Sequence, residues 1–274
     1  MSFGIPVRTG LGVGLLASTS LATRNAFSPA ALFAAGEQGA WYDPSDLSTL
    51  FQDTAGTVPV TAAGQTVARV NDKSGRGNHA TQATAASRPQ YQIDTSGRPF
   101  LLFDGTDDFL VTPTITPGAN AAQAFAGVRK LSDATTNVLL ESSGVSTTNP
   151  GTIGIFAPSG AAANYNWRSQ GSNTGISVSG VTFTAPITNV VTGIGDIASD
   201  VCILRVNGAQ VGSTTADQGT GNYLAYPIYI GRRNGTSFPL NGRIYSLIVR
   251  FGANLTAGQI SQTESWVNGK TGAY

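Results

Sequence analysis

At 274 residues the chain has room for one large β-sandwich or two small domains. Apolar residues at 41% are enough for a core. Charged residues at 11% and a net charge of +1, with 13 scattered arginines against 3 lysines, exclude a nucleic-acid surface built on counterion release. The lone Cys202 excludes an internal disulfide framework, and no run reaches the ~18 apolar residues of a membrane-crossing helix.

In chain order, Phe3, Ile5, Val7, Leu11, Val13 and Leu15 occupy odd positions, while Ser2, Gly4, Pro6, Arg8, Gly10, Gly12 and Gly14 occupy even ones. A period of two marks an extended strand with one apolar face. Such a strand cannot bury that face alone, so residues 1–24 are expected to form an anchoring arm that pairs with another subunit. Two other readings stay open: a cleaved signal with Leu11–Ala17 as its apolar core, and a strand of the main sandwich. Ser28–Pro29 then starts a short linker helix, with Ser28 as its cap and Gly36 as its stop.

From Trp41 the signals are β. Short apolar runs at 47–51, 58–60, 66–70, 101–103, 109–111, 125–129, 138–140, 154–156, 176–183, 228–230 and 244–249 are separated by Gly, Asn and Pro. Strands so spaced predict an all-β, two-sheet antiparallel sandwich. Asp104-Gly105 predicts a tight corner. Asn207-Gly208, between Val201–Val206 and Ala209–Val211, predicts a type I′ hairpin. One helix closes the chain, capped by Thr256 with Gln259 as capping-box partner. Gly269 is its expected stop, and Ile260, Thr263, Trp266 and Val267 share one face, expected to lie over one end of the sandwich with Trp266 buried.

Two loops carry a resemblance. Asp72-Lys73-Ser74-Gly75-Arg76-Gly77-Asn78-His79-Ala80 and Phe103-Asp104-Gly105-Thr106-Asp107-Asp108 resemble the opening of laminin-G-like, concanavalin A-like jelly-roll domains. Leu240-Asn241-Gly242-Arg243-Ile244-Tyr245-Ser246-Leu247-Ile248-Val249 and Leu255-Thr256-Ala257-Gly258-Gln259-Ile260 resemble its close, and the likeness covers roughly residues 41–274. At Tyr245 or Ser246 many members carry an acidic residue instead. The lead-in, Phe3–Arg8 through Ala40–Asp46, is similar to tailed-bacteriophage structural proteins bearing such a domain. The resemblance implies two parts: an arm and linker helix over 1–40, and a jelly-roll domain over 41–274. It further implies a non-enzymatic fibre, spike or decoration subunit of a virion assembled in the host bacterial cytoplasm. Such a subunit is expected to be a homo-oligomer, with a trimer as the guess, to meet other virion proteins through the arm, and to touch neither nucleic acid nor membrane. A secreted or surface carbohydrate-binding lectin or adhesin and a polysaccharide-degrading enzyme are the alternatives.

Candidate chemistry is sparse. The single histidine, His79, and three glutamates, Glu37, Glu141 and Glu264, offer neither a triad pattern nor a paired-carboxylate strand. No catalytic residue is therefore assigned. Asp72, Asp104, Asp107 and Asp108 would supply calcium ligands if the two acidic loops met at one rim; the other reading is that they cap turns. Tyr165, Asn166, Trp167 and Arg168 combine aromatic faces with amide and guanidinium donors, as a host-glycan patch requires. An edge strand with Trp167 packed inward is the alternative. Cys202, in an apolar run, is expected to be a buried, inert thiol.

Overall fold

The computed structural model describes residues 1–4 and 27–274. Ile5, Val7, Leu11, Val13 and Leu15 of the expected arm lie outside the described residues; Phe3 lies within them and is exposed. The strands are β1 Gln38–Tyr42, β2 Leu50–Phe51, β3 Arg69–Val70, β4 Ala80–Thr81, β5 Gln90–Ile93, β6 Pro99–Asp104, β7 Leu110–Val111, β8 Ala121–Lys130 and β9 Val138–Ser142. They continue as β10 Thr152–Phe156, β11 Asn164–Gln170, β12 Ser177–Thr182, β13 Ile187–Asp196, β14 Val201–Val206, β15 Ala209–Thr214, β16 Ile228–Ile230 and β17 Asn241–Phe251, before helix α1, Ala257–Thr271.

Two antiparallel sheets face one another. One runs β15-β14-β13-β8-β17-β6-β5, with β1 also paired to β17; the other runs β12-β11-β10-β9-β16-β7-β4-β3-β2. The chain swaps sheets repeatedly, which is the jelly-roll sandwich expected from the sequence. Residues alternating along each strand meet between the sheets, among them Phe103, Ala124, Val128, Leu140, Ile155, Trp167, Val191, Leu204 and Leu247.

The predicted turns form for the expected reasons. Gly105 has φ +78°, and Thr106 N–H donates to Asp104 Oδ1 at 2.7 Å. Asn207 and Gly208 both take positive φ, 51° and 77°, as a type I′ turn requires. The linker helix is a 3-10 turn, Pro29–Phe33, with Ser28 accepting from Ala30 N–H.

Helix α1 departs from expectation in three ways. Its capping box forms as predicted, but the helix runs through Gly269 and ends at Gly272, which takes the left-handed conformation with φ 59°. It lies across the outer face of the first sheet, against β8, β13 and β17, rather than over an end of the sandwich. Val267 is buried there with Leu32, Phe33, Trp41, Phe125, Val190 and Ile248, while Trp266 is only half-buried, edge-on to Trp41 with ring centres 5.6 Å apart. The first sheet therefore has a partly covered outer face, and the uncovered part holds the cleft described below.

Candidate functional site

Strand register lays a row of side chains across four strands of that outer face. Leu102 of β6 pairs with Arg243 of β17, Arg243 pairs with Arg129 of β8, and Arg129 pairs with Thr188 of β13. A bulge between Ile244 and Ser246 breaks the alternation of β17. Ile244 and Leu247 stay in the core, while Tyr245 joins Arg243 on the outer side, 5.5 Å from the ring of Phe100. The turn from β5 to β6, Asp94–Arg98, walls one side, and the end of α1 at Thr271 and Gly272 contributes another wall. Together they enclose a cleft of about 570 Å³.

Three guanidinium groups face one carboxylate in this cleft. Arg243 sits 4.6 Å over the Phe100 ring, and Arg129 Nη1 donates to Thr188 Oγ1 at 3.0 Å. Arg98 lies so close to Gly272 that a Cβ there would fall 2.2 Å from its Nη2. Asp94 is committed to its own turn: Oδ1 accepts from Ser96 N–H at 2.8 Å and Arg98 N–H at 2.9 Å, and Oδ2 accepts from Tyr245 Oη at 3.3 Å. Burial alone would raise the Asp94 carboxyl, but these donors and the Arg98 charge hold it below the usual carboxylate value. Among the described residues no carboxylate lies within 4.0 Å of Arg98, Arg129 or Arg243. The Nε atoms of Arg129 and Arg243 are buried without a hydrogen-bond partner.

The residues singled out from sequence lie elsewhere. Tyr165 and Trp167 are fully buried, and this corrects the glycan patch: β11 is a strand, so its odd positions point into the core. Trp167 Nε1 donates to Ile194 O at 3.1 Å, and Tyr165 Oη donates to Asn189 Oδ1 at 3.0 Å, so neither ring offers a face for a sugar. β11 is also one strand in from the edge, which β12 forms. Asn166 and Arg168 are on the other side of β11, where Asn166 Nδ2 donates to Ser179 Oγ and Arg168 Nη1 donates to Gln170 Oε1.

The acidic quartet separates. Asp104, Asp107 and Asp108 bring carboxylate oxygens within 4.8 Å of one another, a spacing a cation can span, but Asp72 is not among them. Asp72 organises its own loop, accepting from Trp41 N–H and Ser74 N–H on Oδ1, and from Ser74 Oγ–H and Asn78 N–H on Oδ2. The trio also caps its corner: Asp104 Oδ1 accepts from Thr106 N–H, Asp108 Oδ2 from Asp104 N–H, and Asp107 Oδ2 from Ser87 Oγ–H. Turn capping is the role this geometry supports. Burial, with the neighbouring Asp104 and Asp107 charges, pushes the Asp108 carboxyl up to about 6.

Nothing described assembles a hydrolytic site. His79 Nδ1 accepts from Asp72 N–H at 3.0 Å, the reverse of the donation an orienting carboxylate would need. Glu37, Glu141 and Glu264 are each paired to an arginine, Arg250, Arg233 and Arg205 respectively. Cys202 is buried as expected, and desolvation pushes its thiol up to about 12.

No protein-family model matches the sequence, and no curated protein matches it significantly. Solved structures do match in fold. One is of botulinum neurotoxin type C, which depends on interaction with two ganglioside molecules to enter cells: TM-score 0.56, 12% identity, covering 84% of this chain and 51% of that one. The botulinum neurotoxin serotype D binding domain matches with TM-score 0.54 and 12% identity over 84% of this chain and 52% of that one. The binding domain of botulinum neurotoxin DC in complex with SialylT matches with TM-score 0.52 and 12% identity over 82% and 52%. The chain thus spans about half the length of these structures, and likeness at this identity establishes a shared jelly-roll sandwich fold.

Proposed function

We propose that the chain is a binding protein rather than an enzyme, presenting a rigid lectin-like sandwich to a saccharide ligand. The observation that carries this reading is the cleft on the outer sheet face, which has hydroxyl, amide and guanidinium groups converging on one space without a nucleophile, a free base or a pair of opposed carboxylates. Its floor is strand rather than loop, so its donors are held in register without ordering on binding. The ganglioside and SialylT partners of the fold neighbours are compatible with a saccharide here.

On the resemblance of the lead-in and the alternation of residues 3–15, we place this module on a tailed-phage particle, held by the arm as a symmetric oligomer. Mass spectrometry of purified virions tests that placement, and absence of the chain from the particle removes it. The binding reading is tested by presenting the full chain to a panel of bacterial surface polysaccharides. Saturable binding without new reducing ends is expected; new reducing ends, or no binding across the panel, overturns it.

A further inference from the structure

The row Arg129–Arg243 has an unusual cost. Like charges placed directly opposite on paired strands repel. Here the two guanidiniums share a concave space with a third, Arg98, and the single carboxylate is taken up by backbone amides of its own turn. Stacking of Arg243 on Phe100 and the bond from Arg129 to Thr188 hold the side chains in place, but neither neutralises them. The site is arranged as though one partner were still to come.

We propose that this cleft is an oxyanion pocket. Resting on the saccharide reading above, the oxyanion is the carboxylate or sulfate of an acidic sugar residue, received between Arg98, Arg129 and Arg243. Guanidinium forks match planar and tetrahedral oxyanions with paired N–H donors, which an ammonium cannot do. Thr95, Ser96, Thr188 and Thr271 line the same space and supply hydroxyl partners for the ring substituents. The volume, about 570 Å³, lies within the roughly 300–1,000 Å³ of small-molecule sites. The aromatic rings take no stacking role: Phe100 is 4% exposed and Tyr245 2%, so they act as the platform beneath the arginines.

The test is calorimetric titration of the full chain with trigalacturonate, its uncharged methyl ester and a heparin-derived tetrasaccharide, plus melting in inorganic sulfate at fixed ionic strength. Either acidic probe is expected to bind, with the preferred one distinguishing carboxylate from sulfate. Arg129→Gln combined with Arg243→Gln is expected to weaken it at least roughly tenfold, the scale of one lost charged hydrogen bond. Arg129→Gln alone guards against misfolding of the double variant, and a cooperative transition melting no lower than wild type certifies either. Unchanged acid binding in a folded variant, or no binding of either acidic probe or sulfate, overturns the pocket. Equal binding of acid and ester overturns the pocket and leaves the saccharide reading standing. Stabilisation by sulfate that the variants abolish, without binding of any oligosaccharide, supports the pocket and overturns the saccharide reading.

Discussion

Arg129 and Arg243 are direct cross-strand partners on β8 and β17, and both side chains enter the same outer-face cleft. Like charges so placed repel one another, and a bound oxyanion would relieve that cost. Arg129→Gln keeps a donor for Thr188 and removes the repulsion. The variant is expected to melt about 1–4 °C higher than wild type at low salt, from roughly 0.5–1 kcal/mol of relieved repulsion. The gain should shrink as added salt screens the pair. A lower melting temperature at low salt would contradict the repulsive reading.

Trp167 belongs to the core. Gly193 of β13 lies against it so closely that an added Cβ would fall 2.2 Å from the indole Cδ2. Gly193→Ala is expected to cost about 1–3 kcal/mol by overpacking, and Trp167→Ala about 3–5 kcal/mol by leaving a cavity. Urea denaturation measures both. A Trp167→Ala protein with wild-type stability and selectively lost glycan binding would restore the surface patch.

The same contact explains what the sequence hid. β13, a central strand, gives only a weak strand signal in sequence, because Gly193 and Gly195 interrupt its apolar run. Gly193 makes room for Trp167, and Gly195 makes room for Ser169 and Tyr223. Turns, caps and hairpins were legible because their chemistry is local, as at Asp104-Gly105, Asn207-Gly208 and Thr256–Gln259. The run Tyr165–Trp167 reads in sequence as an aromatic patch, but alternation in β11 sends its rings inward and Asn166 and Arg168 to the other face of the strand. Arg98, Arg129 and Arg243 read in sequence as scattered charges. An arginine on an apolar strand was a visible signal, but the register of β8 against β17, more than 100 residues apart in sequence, was not.

Asp108 gives a pH prediction. Its folded value, about 6, lies above the unfolded carboxylate value of about 3.9. The native state therefore holds this proton more tightly. The stability it confers is full below the unfolded value and lost as pH rises through the folded one. Asp104 and Asp107 face it, and Arg88, lining the same small cleft, spends its guanidinium on the carbonyls of Gln82, Gln52 and Ala83. Asp108→Asn mimics the protonated form and keeps an acceptor for Asp104 N–H. It is expected to raise the melting temperature by about 2–4 °C near pH 7.5, with a smaller gain near pH 4.5 and little effect below the unfolded value. A lower melting temperature near neutral pH would contradict this.

Helix α1 is predicted to tune the cleft through its end. Gly272→Ala places a side chain in a left-handed conformation and against Arg98. It should cost about 1 kcal/mol in stability and shift Arg98, weakening acidic-ligand binding. Thr256→Ala, at the far end of the same helix, should cost about 1 kcal/mol through the lost cap without changing ligand affinity. Equal effects of the two on binding would show that the helix terminus does not position Arg98.

The most direct measurement is a crystal structure of the full chain with a bound acidic oligosaccharide. The account predicts its carboxylate or sulfate between Arg98, Arg129 and Arg243 on the outer face of the first sheet. A ligand seated on the second sheet, over Asn166 and Arg168, with the three-arginine cleft holding only solvent, would contradict it.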